Sequence, residues 1–333
     1  MTDWQALWRY YPAICHPIHS PLKLNQGFSS TSVWKYRGPS GDFVAKAHPV
    51  DTMLPEKLRS IHQTLATWSD AGFGEVPTPI AGLDGNTVVS LGTQTWEIVS
   101  AVSGSGYWAQ SISSPQLARA VCELARLHRT ASQCNRDKPP LKTPAVPQCV
   151  TNRLTRIEEY GDRFDSKLIP AVAQFADAGF SELAKLALAR FNQDHRVCHQ
   201  QLSALTTTVV QQQPCLRDVR PCDMFFEGER FTGFVDVAAI DVDFPLTDLT
   251  RLVGESSHDG LTWEAVLDAY RQVHPILDHE VSFLGPLARA TQMISAVNWV
   301  WWVAVEGRWS CGLPTATARL AELLGRPEVP FAS

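Results

Sequence analysis

Residues 216–248 read LRDVRPCDMFFEGERFTGFVDVAAIDVDFPLTD, and the spacing of acids in this stretch decides how the rest of the chain is read. Asp223 follows Asp218 by five positions, and Asp236 follows Asp223 by thirteen. Between the last two, Met224–Phe226 and Phe231–Val235 are apolar runs separated by Glu-Gly-Glu-Arg. Apolar runs joined by a glycine-containing turn predict paired strands. Such a return of the chain lets carboxylates from separate positions converge. Three converging carboxylates suit phosphoryl transfer. One orients the attacking hydroxyl and takes its proton, while hard oxygen ligands hold Mg²⁺ against phosphates.

This segment resembles the catalytic stretch of the aminoglycoside phosphotransferase and choline kinase-like enzymes, relatives of the protein kinases. Their pattern runs His-Gly-Asp, four residues, Asn, a hairpin, then Ile-Asp-Trp/Phe-Gly. Leu216, Arg217 and Asp218 stand at the His-Gly-Asp positions, Asp223 at the Asn, and Val235-Asp236 at the Ile-Asp. Asp248-Leu249-Thr250-Arg251-Leu252 resembles the family's Asp-Leu-Ala-Arg-Leu helix start. Three departures stand out. Leu216 replaces the His, Asp223 replaces an amide with a carboxylate, and Val237-Ala238 replaces Trp-Gly.

The resemblance implies an α+β, bilobal protein kinase-like fold. A small β-rich N-terminal lobe with one helix would span 1–101, and a larger, mostly helical lobe 102–333 would carry catalysis and the acceptor. It implies ATP- or GTP-dependent transfer of the γ-phosphate to a hydroxyl of a small molecule. Asp218 would act as base, and Asp223 and Asp236 would hold Mg²⁺. The alternative is a pseudokinase that binds nucleotide or a partner without transfer. Leu216 and Val237-Ala238 favour it, whereas three retained carboxylates favour an enzyme, because their mutual repulsion needs an offsetting cation.

Upstream, Leu22–Leu24, Ser32–Tyr36 and Phe43–Lys46 read as strands, with a turn over 38–42. Pro55–Trp68 reads as a helix, with Pro55 at its first turn and Leu58, Ile61, Leu65 and Trp68 at helical spacing. Thr87–Leu91 and Thr95–Val99 read as a hairpin. Lys46 ends its strand where the family contacts nucleotide phosphates. Its partner on the following helix is Glu56 or His62 by register, Glu56 in the first turn and His62 on the inward face. Gly27, Ser29 and Ser30 fall where a loop covering the phosphates belongs, and Glu97–Ala101, Val99 included, fall at the hinge whose backbone would hold adenine. Arg217 and Arg220 flank Asp218 and would lower its pKa, touch phosphate or form surface ion pairs. Asp241 and Asp243 read as a solvated run or as support behind the metal ligands. Trp299, Trp301, Trp302 and Trp309 read first as packing, second as a stacking platform for substrate.

Downstream of Val102, helical patterns recur from Ser114 and near 151–160, 165–178, 181–193, 247–254, 261–273, 280–306 and 315–325. With 333 residues, 44% hydrophobic and 19% charged, the chain can fill two lobes. A net charge of −5 offers no basic surface for nucleic acid, and an acidic cleft would suit a cationic substrate. Eight scattered cysteines without a Cys-x-x-Cys pair suggest a reducing cytoplasm. His195, Cys198 and His199 are neighbours but lack zinc-site spacing. The apolar stretch Met293–Val305, interrupted by Asn298, is too short to span a bilayer, so no membrane role is expected.

Overall fold

Strand alternation sets the first layer. The computed structural model describes residues 4–24, 30–106, 112–134, 146–254, 262–309 and 312–325. A short helix, α1 (Trp4–Trp8), precedes an antiparallel sheet of β1 (Leu22–Lys23), β2 (Ser32–Gly38) and β3 (Gly41–Pro49). Helix α2 (Pro55–Asp70) follows, then β4 (Val88–Leu91) and β5 (Gln94–Ser100), which complete the sheet order β1-β2-β3-β5-β4. Successive side chains leave a strand on opposite faces. Ala45, Ala47, Trp96 and Ile98 therefore turn to one side, where Trp34 stacks on Trp96 and Trp4 of α1 meets both edge-on. Lys46, His48 and Glu97 turn to the other side, towards α2, because β3 and β5 pair Lys46 with Glu97.

Leu58, Ile61, His62, Leu65 and Trp68 are the buried stripe of α2. Ile61, Leu65 and Trp68 join the same apolar cluster as the helices downstream, so α2 packs on both parts of the chain. A polar tie reinforces that packing. Lys57 donates to the Ile240 carbonyl at 3.0 Å and to Asp241 Oδ2 at 2.7 Å.

The remainder is mostly helical: α3 (Ser114–Cys134), α4 (Gln148–Asp162), α5 (Ile169–Ala173) and α6 (Ala178–Leu205). The short strands β6 (Gln213–Cys215), β7 (Met224–Glu227), β8 (Arg230–Phe234) and β9 (Asp241–Asp243) come next, with β6 paired to β9 and β7 to β8. Helices α7 (Leu246–Gly254), α8 (Trp263–Arg271), α9 (Asp278–Val281), α10 (Leu284–Val300) and α11 (Leu313–Gly325) close the chain. Apolar on nearly every side, α10 sits at the centre, as an all-round hydrophobic helix must. It continues into a π-turn over Trp301–Val305. Helix α6 runs well past the expected end near 193. Its polar Gln193–Arg196 segment faces outward, and Cys198, Leu202 and Leu205 resume the buried stripe.

No described helix is long and apolar enough to cross a membrane. The seven described cysteines are free thiols. Trp299 and Trp302 pack edge-on, Trp301 lies on Tyr160 beside Arg163, and Trp309 meets Phe175, so the tryptophans serve packing.

Because Trp68 is 1% exposed at the junction of the two layers, Trp68→Ala should remove about 3–5 kcal/mol of unfolding free energy. Urea titration followed by circular dichroism measures this, and a loss below 1 kcal/mol would show that α2 does not depend on that junction.

Candidate active site

The hairpin explains the thirteen-residue interval. Met224 pairs with Phe234, and the Val235 amide donates to the Asp223 carbonyl at 2.7 Å, so Asp223 and Asp236 lie at adjoining ends of one β-ribbon. Asp236 occupies the left-handed region with φ 56°, which re-aims its side chain as the strand ends. Side-chain exposure separates the two acids, at 54% for Asp236 and 5% for Asp223. Burial, and then the charge of Asp236, push the Asp223 carboxyl up to about 7 against the pull of Arg220. The Arg220 guanidinium lies between them, with Nε 3.0 Å from Asp223 Oδ2 and Nη2 3.5 Å from Asp236 Oδ2.

Asp218 stands on the loop before this ribbon, and Asp248 fixes that loop. The fully buried Asp248 carboxylate accepts the Leu216 amide at 2.8 Å, the Arg217 amide at 2.6 Å and His128 Nε2 at 3.1 Å. Three donors on one carboxylate hold Arg217 at φ 68°, an uncommon conformation for a side chain with a Cβ. His128 is steadied in turn by the Tyr270 hydroxyl at 2.7 Å from Nδ1. Leu216, in place of the family's His, is 4% exposed in the apolar core. His128, Cys215 and Asp248 form the one described group close enough to share a cation, yet Asp248 is already spent on backbone donors and Cys215 bonds to two carbonyls.

The ion pairs of the flanking arginines go to other acids, although Arg220 feels the charge of Asp218. Arg217 pairs with Asp243 at 3.2 Å and Asp241 at 3.6 Å, and Arg220 serves the hairpin acids. The cation on Asp218 is Arg251 of α7, whose Nη2 lies 2.6 Å from Oδ1. Asp243, read as solvated or supporting, is fully buried and accepts the Cys149 and Phe244 amides.

Lys46 stands on β3, and its acidic partner corrects the expectation. Glu56 is exposed at the start of α2 and holds no ion pair among the described residues. Glu97 takes that place from the adjacent strand, with Oε1 3.9 Å from Lys46 Nζ. His62 joins the same carboxylate at 2.8 Å from α2, and His48 at 3.0 Å from β3. The chain of bonds runs from Thr31 through His48, Glu97 and His62 to Thr87. Burial would push the Glu97 carboxyl up. Lys46 and the two histidines outweigh it and hold the group far below the ordinary carboxylate range. Glu97 therefore lies inside β5 rather than at a hinge, as does buried Val99, paired with Val44. Ser30 is exposed at the edge of β2, while Gly27 and Ser29 lie outside the described residues.

After β5 the chain crosses the ribbon closely. Ser105 and Phe226 exchange two backbone hydrogen bonds at 3.1 Å. A Cβ on Gly104 would stand 2.3 Å from the Phe226 carbonyl oxygen, and one on Gly106 would stand 2.2 Å from that of Cys222. Only glycine fits at either position.

A model of the phosphotransferase enzyme family matches residues 22–279. The chain belongs to this family. Known structures of the family's fold cover nearly the whole phosphotransferase. Amicoumacin kinase, in complex with AMP-PNP, Ca²⁺ and Ami, superposes with a TM-score of 0.65 at 12% identity over 99% of this chain and 96% of its own. Spectinomycin phosphotransferase, with ADP and spectinomycin, gives 0.64 at 12% identity over 97% and 94%. A microcompartment-associated aminopropanol kinase gives 0.61 at 14% over 96% and 94%. No curated protein sequence matches significantly. At these identities the likeness establishes the bilobal kinase-like fold, and family membership makes small-molecule phosphotransfer the enzyme class.

Removing the Glu97 charge would strand Lys46 in a buried setting, so Glu97→Gln should cost about 3–5 kcal/mol. Chemical denaturation at pH 7 measures it, and an unchanged midpoint would mean that the cluster is not needed to hold the sheet against α2.

Proposed function

We propose that this phosphotransferase moves the γ-phosphate of ATP to a hydroxyl of a small molecule. The observation that carries the reading is the joint placement of Asp218, Asp223 and Asp236 by the Asp248-bound loop and the β7–β8 ribbon. Asp218 orients the hydroxyl and takes its proton late, as the loose transition state allows. Its pairing with Arg251 holds the carboxylate in place before the acceptor arrives.

Asp223 and Asp236 offer hard oxygen donors from two adjacent chain ends, a set that fits Mg²⁺. Burial, with the charge of Asp236, raises the proton affinity of Asp223 even against the pairing with Arg220. When bound there, Mg²⁺ would neutralise phosphate oxygens and orient the donor. Lys46, held by Glu97, supplies a fixed cation for the phosphates from the sheet side.

A second reading, a pseudokinase that binds nucleotide or a partner without transfer, is favoured by Arg220. A guanidinium between Asp223 and Asp236 balances part of their charge without any metal.

Two variants separate the readings. Asp218→Asn should lower turnover about 10²–10⁴-fold, the usual worth of a positioned base, while nucleotide affinity stays within about twofold. Steady-state ADP release and nucleotide titration test it, and unchanged turnover would remove Asp218 from the reaction. Asp236→Ala should abolish the Mg²⁺ dependence of the melting-temperature rise given by ATP. If ATP stabilises the wild-type chain equally with and without Mg²⁺ and no acceptor is phosphorylated, the pseudokinase reading holds.

A further inference from the structure

The cleft beside Asp218 has the wrong charge for a cationic acceptor. It is a cavity of about 360 Å³ between α4, α7 and α10, large enough for a small metabolite. Its described lining carries three guanidiniums, of Arg153, Arg156 and Arg251, against one carboxylate, Glu159. Glu159 is already paired with Arg156 at 2.9 Å. Arg251 connects the cleft to the candidate base, reaching Asp218 at 2.6 Å and Ser295 at 3.3 Å. With Asp218 counted at the mouth, the balance remains positive.

Arg153 is the most telling of the three. It is partly buried, and among the described residues its hydrogen bonds go to neutral oxygens: Thr291 Oγ1 at 2.8 Å, the Cys149 carbonyl at 2.8 Å and Thr247 Oγ1 at 3.4 Å. The nearby Asp243 already answers Arg217. Burial pulls the Arg153 pKa below its ordinary value, with Cys149 and Asp243 opposing the shift and Arg251 and Arg217 adding to it. A cation that a fold keeps in a cleft without a carboxylate of its own is poised for a ligand that brings one. Among the described lining residues there is no aromatic ring for an ammonium group, and Trp299 and Trp302 pack on each other. Asn152 and Asn298 add uncharged groups suited to hydroxyls.

We infer that the acceptor is an anionic alcohol, a hydroxyl compound that also carries a carboxylate or phosphate group, bound with that anion among Arg153, Arg156 and Arg251. The inference rests on the phosphotransferase reading for the acceptor's role, and on the cleft alone for its charge. It reverses the expectation of a cationic substrate drawn from the net charge of the chain. An overall excess of acids says little about one cleft.

Matched probes test it without knowing the substrate. Glycerate, glycerol 3-phosphate, glycerol and 3-amino-1,2-propanediol share a three-carbon alcohol and differ in charge. Gluconate, glucose and glucosamine do the same on a larger frame. Binding to the full chain is read by calorimetry and melting temperature at fixed ionic strength without nucleotide. Transfer is read separately as acceptor-dependent ADP release. An anionic member should bind at least tenfold more tightly than its neutral counterpart, and the cationic member no better than the neutral one. Comparing glycerate with glycerol 3-phosphate identifies which oxyanion fits. Arg156→Glu, at an exposed position where refolding is not at stake, should cost the anionic probe tenfold or more, and Arg156→Lys should keep most of its affinity. Equal affinity across each matched set, or a preference for the amines, overturns the inference even if phosphate is transferred. Anion-selective binding that Arg156→Glu abolishes, with no Mg²⁺-dependent binding of ATP, upholds the cleft's charge preference and overturns the phosphotransferase reading instead.

Discussion

The carboxylate of Asp248, buried at the start of α7, accepts two consecutive amides of the Leu216–Asp218 loop and a nitrogen of His128. A buried carboxylate with no donors would be costly, and so would two unsatisfied amides in a turn. Meeting each other's need, they fix the loop to within hydrogen-bond tolerance. Asp218 inherits its position from that arrangement, and so does the strained Arg217. The substitution of Leu216 for His is tolerable for the same reason. The loop is held through its backbone, and an apolar side chain there fills the core instead of bonding behind the loop.

The second organising element is the β7–β8 ribbon. Its strands bring Asp223 and Asp236 together, and the close crossing of Gly104 and Gly106 seats it against the chain leaving the sheet. Replacement of Trp-Gly by Val237-Ala238 leaves the left-handed conformation at Asp236 intact, because the turn is set at Asp236 itself and not at the residue two positions on.

The ribbon that brings Asp223 and Asp236 together was legible in the sequence because its signals are local. The apolar runs, the glycine turn and the acid spacing lie within one short segment, and local pairing needs no knowledge of the rest of the fold. The sheet and α2 were legible for the same reason. The partner of Lys46 was not. Glu97 meets Lys46 only through the register of β3 on β5, and a shift of one residue would have turned Glu97 to the opposite face. Helix α2 contributes His62 to the same carboxylate but no acid. Arg251 was hidden by distance along the chain, and the flanking arginines drew attention away from it. The polar middle of α6 masked its continuation, since exposed polar residues are as common within a long helix as at its end.

Ion pairing gives the site a common logic. In the free protein each acid of the site has an internal cation: Arg251 for Asp218, Arg220 for Asp223 and Asp236, and Lys46 for Glu97. Carboxylates this close repel one another, and the guanidiniums lower that repulsion. On the reading proposed above, ligands would enter by exchange: a divalent ion would compete with Arg220 for two carboxylates, and an anionic acceptor would share Arg251 with Asp218. Binding of one would then change the electrostatic setting of the other, because each would withdraw a counter-charge from the same region. Lys46 stands outside the exchange. Its partner is buried among two histidines and the sheet, so its charge stays in place whichever ligands are bound.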